Sequence, residues 1–506
     1  MQQSGYKNKT FLGWLSRADN LFFNRLCILT LCLGMTTSVF TLCFSFLGQT
    51  AARYISAIPF CGFLIAFIFV DKKYALKLKV NFTGRAVRLF GVYAFFTACV
   101  TYAFLALLSF LSAWNGSFLY GVIAYVPACV LPMLLPFLFC AANATTGIFE
   151  NARNRKFVKR AGQVLDETDI IRVGVVGSYG KTSVKNILKA MLSTRYKTVE
   201  TPASYNTPIG VAKTVFGEEF AKKEVFIVEM GARKAGDIAE LCSLVKPAYA
   251  VFTGVCEQHI STFESLDKVF AEKSEIIKSG AKVVCGESLK VRVRTAFGEN
   301  PQNVLFADGT AVENIRLNAT DTQFTLRIKG ESVEITTKLL GTAAVENIQL
   351  AATLAVEMGV SLQEIATAVS EMEAIPHRLQ LVENGGVYIL DDGYNANPRG
   401  AVEAIAALSR FSGRKCLVTP GIVECGVLEE KINAELGERI AKAGLDLVIL
   451  VGETLVGVVK KGYIDGGGDE SKLVCVPTLD KAKQTLSDWI LVGDAVLFLN
   501  DLPDVY

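Results

Sequence analysis

The sequence predicts a multi-domain chain: four transmembrane helices within residues 1–150, then an α/β domain over 151–375 and a second α/β domain over 376–506. Three observations predict it. Apolar residues crowd the first 150 positions and thin out afterwards. A strand, a glycine turn and a helix start follow one another across Val173–Ser183. A second alternation of strands and helices then begins at Val387.

The N-terminal part comes first. Four apolar runs, Leu26–Leu47, Tyr54–Val70, Leu89–Trp114 and Phe118–Ala142, stand in it. Each is near the ~20 residues a helix needs to cross a bilayer. A cleaved signal peptide fits poorly, because the first run is long and three more follow. Lys7, Lys9, Arg17 and Arg25 precede the runs, Lys72, Lys73, Lys77, Lys79, Arg85 and Arg88 lie in the middle loop, and Arg153, Arg155, Lys156, Lys159 and Arg160 follow. The other two loops hold Arg53 between them. The positive-inside rule then places both termini and the later domains on the cytoplasmic side of a cell membrane, with a multi-pass topology. A very apolar helical domain without a membrane is the competing reading. No charged residue lies inside the runs, so the segment reads as an anchor or a lipid-facing platform rather than an ion pathway.

Composition bounds the rest. Mean hydropathy is +0.36. The net charge of +3 gives no argument for nucleic acid as a partner. Seven of the 13 cysteines fall in the apolar runs, where the thiol behaves as a small hydrophobe, and the others form no CxxC pair. A zinc site or a disulfide framework is therefore not expected.

From Ile171 the chain alternates. Ile171–Val176, Glu224–Glu229, Ala248–Thr253 and Ala281–Cys285 read as strands with helices between them, which predicts a parallel, doubly wound sheet. Residues 303–340 read as a small antiparallel insertion, and Val345–Met358 as a helix. Val387–Asp391, Lys415–Thr419, Leu447–Val451 and Ala495–Leu499 begin a second α/β rhythm, with a boundary near Ile375-Pro376.

The loop Gly177-Ser178-Tyr179-Gly180-Lys181-Thr182-Ser183 follows the first of these strands. Backbone N–H groups there, together with the positive end of the next helix, form an anion cradle. Lys181 would reach the β- and γ-phosphates of ATP, and the Thr182 hydroxyl would ligate Mg²⁺. The strict P-loop spacing fails, because position 175 is Val and the glycines give GxxGKT. A glycine turn with a surface lysine remains the alternative from this loop alone.

Further blocks give the loop a context. Asn206-Thr-Pro-Ile-Gly210, Glu229-Met-Gly-Ala232 with Gly236-Asp-Ile238, and His259 with Phe263-Glu-Ser265 and Glu272-Lys-Ser-Glu-Ile276 follow in order. Gly341 with Glu346-Asn347, His377-Arg378-Leu379, and Asp391-Asp392-Gly-Tyr-Asn-Ala-Asn-Pro398 complete the set. This succession resembles the Mur ligase family over roughly 171–506, and its last block closely resembles that of the branch that adds D-alanyl-D-alanine. The resemblance implies a P-loop central domain and a Rossmann-like C-terminal domain. It also implies a reaction in which ATP converts an acceptor carboxylate to an acyl phosphate that an amine attacks. The acceptor would be a muramyl peptide or a lipid-linked precursor, and the amine an amino acid or dipeptide.

By the same resemblance Thr182 and Glu229 hold one Mg²⁺, His259 helps hold a second, and Lys273 matches the lysine that is carbamylated into a metal ligand. Lys181, Lys273 and His259 are then the catalytic set. Asn347 matches an adenine contact, Arg378 a phosphate contact and Asp392 a ribose contact, with Tyr394, Asn395 and Asn397 on the same closing face. Each residue also has an ordinary reading. Glu229 is also a strand-end carboxylate, Lys273 a helix-surface lysine, Asn206 a turn cap, His259 a core histidine and His377 a structural residue where the family has glycine.

The sequence departs from the family as well. Four predicted spans stand where the family's UDP-binding domain would be, which suggests an acceptor presented at the membrane with lipid as a partner. Ala343-Ala344 replaces a His-Asn pair, Thr419–Gly426 differs from the branch pattern, and Leu497–Tyr506 replaces the usual C-terminal segment. Two other functions compete: a membrane-associated polyglutamate-type synthetase, and a P-loop ATPase subunit energising a membrane partner.

Overall fold

The structure, a computed structural model, describes residues 6–15, 82–114, 119–202, 205–217, 220–256, 263, 265–307, 310–394, 397–423 and 425–499. The chain divides into two compact units, Met1–Lys156 and Phe157–Tyr506.

In the first unit, helices α1 (Asn8–Leu15) and α2 (Gly84–Trp114) are described, and α3 (Leu119–Asp166) begins there. Among the described residues one helical stretch, Gly84–Ala103, is long and apolar enough to cross a membrane, and 6% of it is buried. Of the four expected crossings, that one is supported among the described residues. The runs Leu26–Leu47 and Tyr54–Val70 lie outside the described residues. The fourth run forms the start of the 48-residue α3, in which Asn143, Thr146 and Glu150 are buried polar residues. Glu150 accepts from Arg88 Nε at 2.6 Å and from Arg153 Nη2 at 2.7 Å, so its carboxylate is paired rather than left bare.

The second unit holds three sheets. A six-stranded sheet has the order β2-β3-β1-β4-β5-β6: Thr198–Glu200, Val225–Glu229, Ile171–Val176, Tyr249–Phe252, Lys282–Cys285 and Val304–Phe306. All its pairings are parallel. Alternate residues of β3 point to opposite faces, Val225 and Ile227 to one core and Phe226 and Val228 to the other, so the strand reads as an unbroken apolar run. Helix α4 (Lys181–Ser193) buries Val184, Ile187, Leu188, Met191 and Leu192, a stripe at helical spacing, on one face of this sheet. Helix α10 (Thr342–Glu357) packs beside α4.

Strands β7 (Thr310–Leu317), β8 (Thr322–Ile328) and β9 (Glu331–Thr337) form the antiparallel insertion. It is shorter than the sequence suggested, because Val304–Phe306 pairs in parallel with β5 instead. The second six-stranded sheet has the order β10-β11-β15-β12-β13-β14: Gln380–Asn384, Val387–Asp392, Ala495–Leu499, Lys415–Thr419, Leu447–Val451 and Leu473–Val476. The edge strand β10 is antiparallel and the rest are parallel. In the first sheet the strand order reverses beside β1, and in the second β15 inserts between β11 and β12. The carboxyl ends of strands at such a reversal are where open α/β sheets bind ligands.

Candidate functional site

The loop after β1 is closely fitted. A Cβ on Gly177 would lie 1.9 Å from Thr253 Oγ1, so only glycine lets the loop pass β4. Gly180 adopts φ 71 as the N-cap of α4, and a Cβ there would lie 2.6 Å from Asn347 Oδ1. The Ser178 N–H donates to Gly254 O at 2.8 Å, and Thr253 Oγ1 donates to Tyr179 O. The loop is thereby held with α4's free N–H groups at its opening, which is the geometry that favours an anion.

Around it stand the polar groups named from sequence. Thr182 Oγ1 donates to Glu229 Oε2 at 3.0 Å, and Asn206 Nδ2 donates to Glu229 Oε1 at 3.4 Å. Asn206 therefore faces the carboxylate rather than merely shaping a turn. Lys181 Nζ donates to Ser178 O at 3.3 Å, and burial pulls its pKa down. Lys273, 3% exposed, donates to Gly177 O at 3.0 Å, so it is no helix-surface lysine. Burial, reinforced by the neighbouring Lys181 cation, lowers its amine from 10.5 to about 7. Its neighbour Glu272 turns the other way and accepts from the N–H groups of Gly236 and Ile238 at 2.7 and 2.8 Å, capping helix α6 (Asp237–Val245).

The C-terminal domain supplies the facing wall. Arg378 Nη1 donates to Tyr394 O at 3.0 Å, and its guanidinium lies 4.7 Å from the centre of the Tyr394 ring. Asp392 Oδ1 accepts from Leu379 N at 3.0 Å, and burial pushes its carboxyl from 3.8 up to about 6. Asn397 caps helix α12 (Pro398–Leu408), accepting from Gly400 N at 3.0 Å. His377 adopts φ 58, a conformation natural to glycine, and its Nδ1 pairs with Asp391 Oδ2 at 2.8 Å. Between the two walls lies a cavity of about 130 Å³, bordered by Tyr179, Gly180, Ser183, Asn347, Arg378, Asp392 and Asn397. Leu340, Ala343, Ala344 and Ile375 give it an apolar side.

The structure thus brings together Gly177, Ser178, Tyr179, Gly180, Lys181, Thr182, Ser183, Glu229, Lys273, Asn347, Arg378, Asp392 and Asn397. His259 and Asn395 lie outside the described residues. Among the described residues, no group of three His, Cys, Asp or Glu gathers as a metal site.

The residue pattern did not single out Lys185 or Arg399. Lys185, 2% exposed, donates to Thr201 O at 2.7 Å and lies 3.8 Å from Glu229 Oε2. Its place one turn after Lys181, on the same helix face, was the available signal. Arg399 Nη1 donates to the Tyr179 hydroxyl at 2.9 Å, and its Nη2 reaches both Glu346 oxygens at 2.5 and 2.6 Å. No local pattern foretells a partner 53 residues away.

A parallel sheet and a mostly parallel one, whose domains line one cavity beside a glycine-loop cradle, define an α/β protein with a candidate nucleotide site, and comparison with known proteins gives the class. Residues 175–355 match the Mur ligase middle domain, and residues 377–499 match the Mur ligase glutamate ligase domain. The chain belongs to the Mur ligase family.

Within that family it is similar to the UDP-N-acetylmuramoyl-tripeptide–D-alanyl-D-alanine ligases. The Escherichia coli (strain K12) protein is 31% identical over 297 residues, which are 56% of this chain and 64% of that one. The Bacillus subtilis (strain 168) protein is 29% identical, covering 56% and 62%. The chain thus spans somewhat less than two thirds of the length of these curated relatives. The MurF ligase of Thermotoga maritima, solved in complex with ADP, is 25% identical with a TM-score of 0.61 and covers 69% of this chain and 80% of its own. MurF from Acinetobacter baumannii shares the fold at a TM-score of 0.62 and 22% identity, covering 69% and 77%.

Proposed function

We propose that this chain is an ATP-dependent amide ligase that activates an acceptor carboxylate and joins it to an amine, in the synthesis of peptidoglycan or a related surface polymer. One observation carries the reading. The Thr182–Glu229 pair stands at the positive end of α4 beside the buried Lys185 and Lys273, and it faces Arg378 and Asp392 from the other α/β domain.

The residues fit a nucleoside triphosphate with a divalent cation. Ser178 Oγ, in the phosphate loop, is buried without a hydrogen-bond partner, as a group awaiting a ligand oxygen would be. A hydroxyl and a carboxylate are the hard oxygen donors that Mg²⁺ takes. The apolar side formed by Leu340, Ala343, Ala344 and Ile375, next to the Asn347 amide, suits a flat base. Bound Mg²⁺ would neutralise charge on the transferring phosphoryl group. Thr182 and Glu229 would hold one ion, His259 would help hold a second, and Lys273 as a carbamate would be a further metal ligand.

In the proposed reaction a carboxylate oxygen bonds to the γ-phosphorus as the β–γ bridge breaks and ADP leaves. The amine nitrogen then bonds to the acyl carbon, phosphate leaves and the amine proton is released. Lys181 offsets charge on the β- and γ-phosphates, and Arg378 and Asp392 hold phosphate and ribose from the closing domain. Asn395 and Asn397 belong to the same face.

By likeness to the named relatives, the acceptor is a muramyl tripeptide and the amine is D-alanyl-D-alanine. The membrane assignment is part of the proposal. Residues 1–150 form a multi-pass anchor, and domains 151–375 and 376–506 lie on the cytoplasmic side with both termini. A lipid-linked acceptor would then be in reach. The Lys and Arg placement supports this, as does the exposed apolar stretch Gly84–Ala103.

The test is ADP release by the full-length protein against a panel of muramyl peptides, lipid-linked acceptors, amino acids and dipeptides. Release that needs both an acceptor and an amine is expected. Equal release with neither would reject the ligase. Ligation of a soluble UDP-muramyl peptide as fast as a lipid-linked one would reject the membrane-presented acceptor.

A further inference from the structure

We propose that Arg399 and Glu346 form a latch that sets the closed arrangement of the two α/β domains and, through Tyr179, ties that arrangement to the phosphate loop. Arg399 is the second residue of α12, and Glu346 lies on α10 in the central domain. One guanidinium nitrogen donates to both Glu346 oxygens and the other to the Tyr179 hydroxyl. The guanidinium carbon lies 5.0 Å from the centre of the Tyr179 ring. A planar fork is required for this set of contacts, which a lysine ammonium cannot reproduce.

One turn later on α12 and one turn earlier on α10, a second contact repeats the pairing. Glu403 accepts from Thr342 Oγ1 at 2.6 Å and from Thr342 N at 3.2 Å. Helix α10 has Gly341 as its N-cap, which gives no side-chain cap. Its first N–H is therefore satisfied by a carboxylate from the other domain, where the helix dipole favours negative charge. Two contacts one helical turn apart fix rotation as well as separation. The helix that carries Asn347 takes its cap from the closing domain, so closure and the base side of the cavity move as one.

Arg399 is accordingly a positioning residue. If the latch is cut, the closed form becomes a smaller fraction of the ensemble, and apparent nucleotide affinity falls by that fraction while saturating ATP restores closure. KM for ATP should then rise far more than kcat falls. The nucleotide half of this inference rests on the ligase reading; the closure half does not.

The experiment uses the full-length protein with a fluorophore on each α/β domain, and calorimetry with a non-hydrolysable ATP analogue. Four forms are compared: wild type, R399E, E346R and the R399E/E346R swap. In wild type without nucleotide a narrow interdomain distance distribution is expected. Either single change should broaden it and weaken analogue binding about 10-fold, and the swap should bring affinity back to within about 3-fold of wild type. Recovery in the swap separates the latch from general misfolding. An R399E protein with the wild-type distance distribution and affinity would overturn the latch, and so would a swap as impaired as its parents. If wild type fails to bind the analogue, the ligase reading fails, and the distance distributions alone still decide the latch.

Discussion

The two walls of the site differ in how their charges are kept. On the central wall the polar groups are buried and already paired: Glu229 and Lys273 are each 3% exposed, and Thr182, Asn206 and Lys185 converge on Glu229. On the C-terminal wall the groups lie nearer to solvent. Tyr394 is 46% exposed, and the Arg399 side chain is 41% exposed despite its bidentate pair. A phosphate cradle gains from being rigid before substrate arrives, because donors that need no rearrangement act at full strength in a dry site. A closing face must release product, and half-exposed contacts are cheap to break. On the proposed ligase reading the central wall is the chemical half and the C-terminal wall the docking half.

The predictions probe that division, and the central wall should give the largest effect. Lys181→Ala removes the phosphate cation and should lower ATP turnover about 1,000-fold or more. A variant within tenfold of wild type would mean that the loop does not hold phosphate. Lys273→Ala should lose about 100-fold, with partial recovery in high bicarbonate or with a short added carboxylate that replaces the carbamate. Undiminished activity in the variant would remove Lys273 from the metal set.

Arg378→Ala, on the docking wall, should raise KM for ATP about 10-fold with a smaller fall in kcat. A fall in kcat with KM unchanged would make it a transition-state residue and blur the comparison. Asp392→Asn should weaken the ribose contact and raise KM for ATP, and it should also show in stability. The folded carboxyl titrates near 6 and the unfolded one near 3.8, so the folded state binds more protons between those values. Its contribution is fully present below pH 3.8 and is lost as pH rises through 6. An Asn cannot ionise, so the variant should gain about 2–4 °C in Tm relative to wild type between pH 4 and pH 7. A constant Tm difference across that range would contradict the burial argument.

Much of this was legible in the residues. The apolar runs Ile171–Val176 and Leu447–Val451 announce central strands because both faces of each are covered. Gly180-Lys181-Thr182 announces a helix start behind a glycine turn. The three- and four-residue strands Thr198–Glu200, Val304–Phe306 and Leu473–Val476 carry too little pattern to separate them from loops. Val304–Phe306 went unrecognised as a parallel edge because the turn residues after it suggested a hairpin region. The residue pattern does not single out Lys185, and only the fold shows it buried against Glu229. Arg399 carries no local mark either, and its partner on α10 comes from domain packing that no local spacing encodes.

The central claim is that ATP energy reaches a carboxylate, and oxygen tracing tests it most directly. The acceptor carboxylate is labelled with ¹⁸O and the released inorganic phosphate is analysed by mass spectrometry. If the carboxylate is activated as proposed, one carboxylate oxygen leaves with the phosphate, and the label appears there once per amide formed. Unlabelled phosphate from a reaction that releases ADP would contradict the account, because ATP would then be consumed by water.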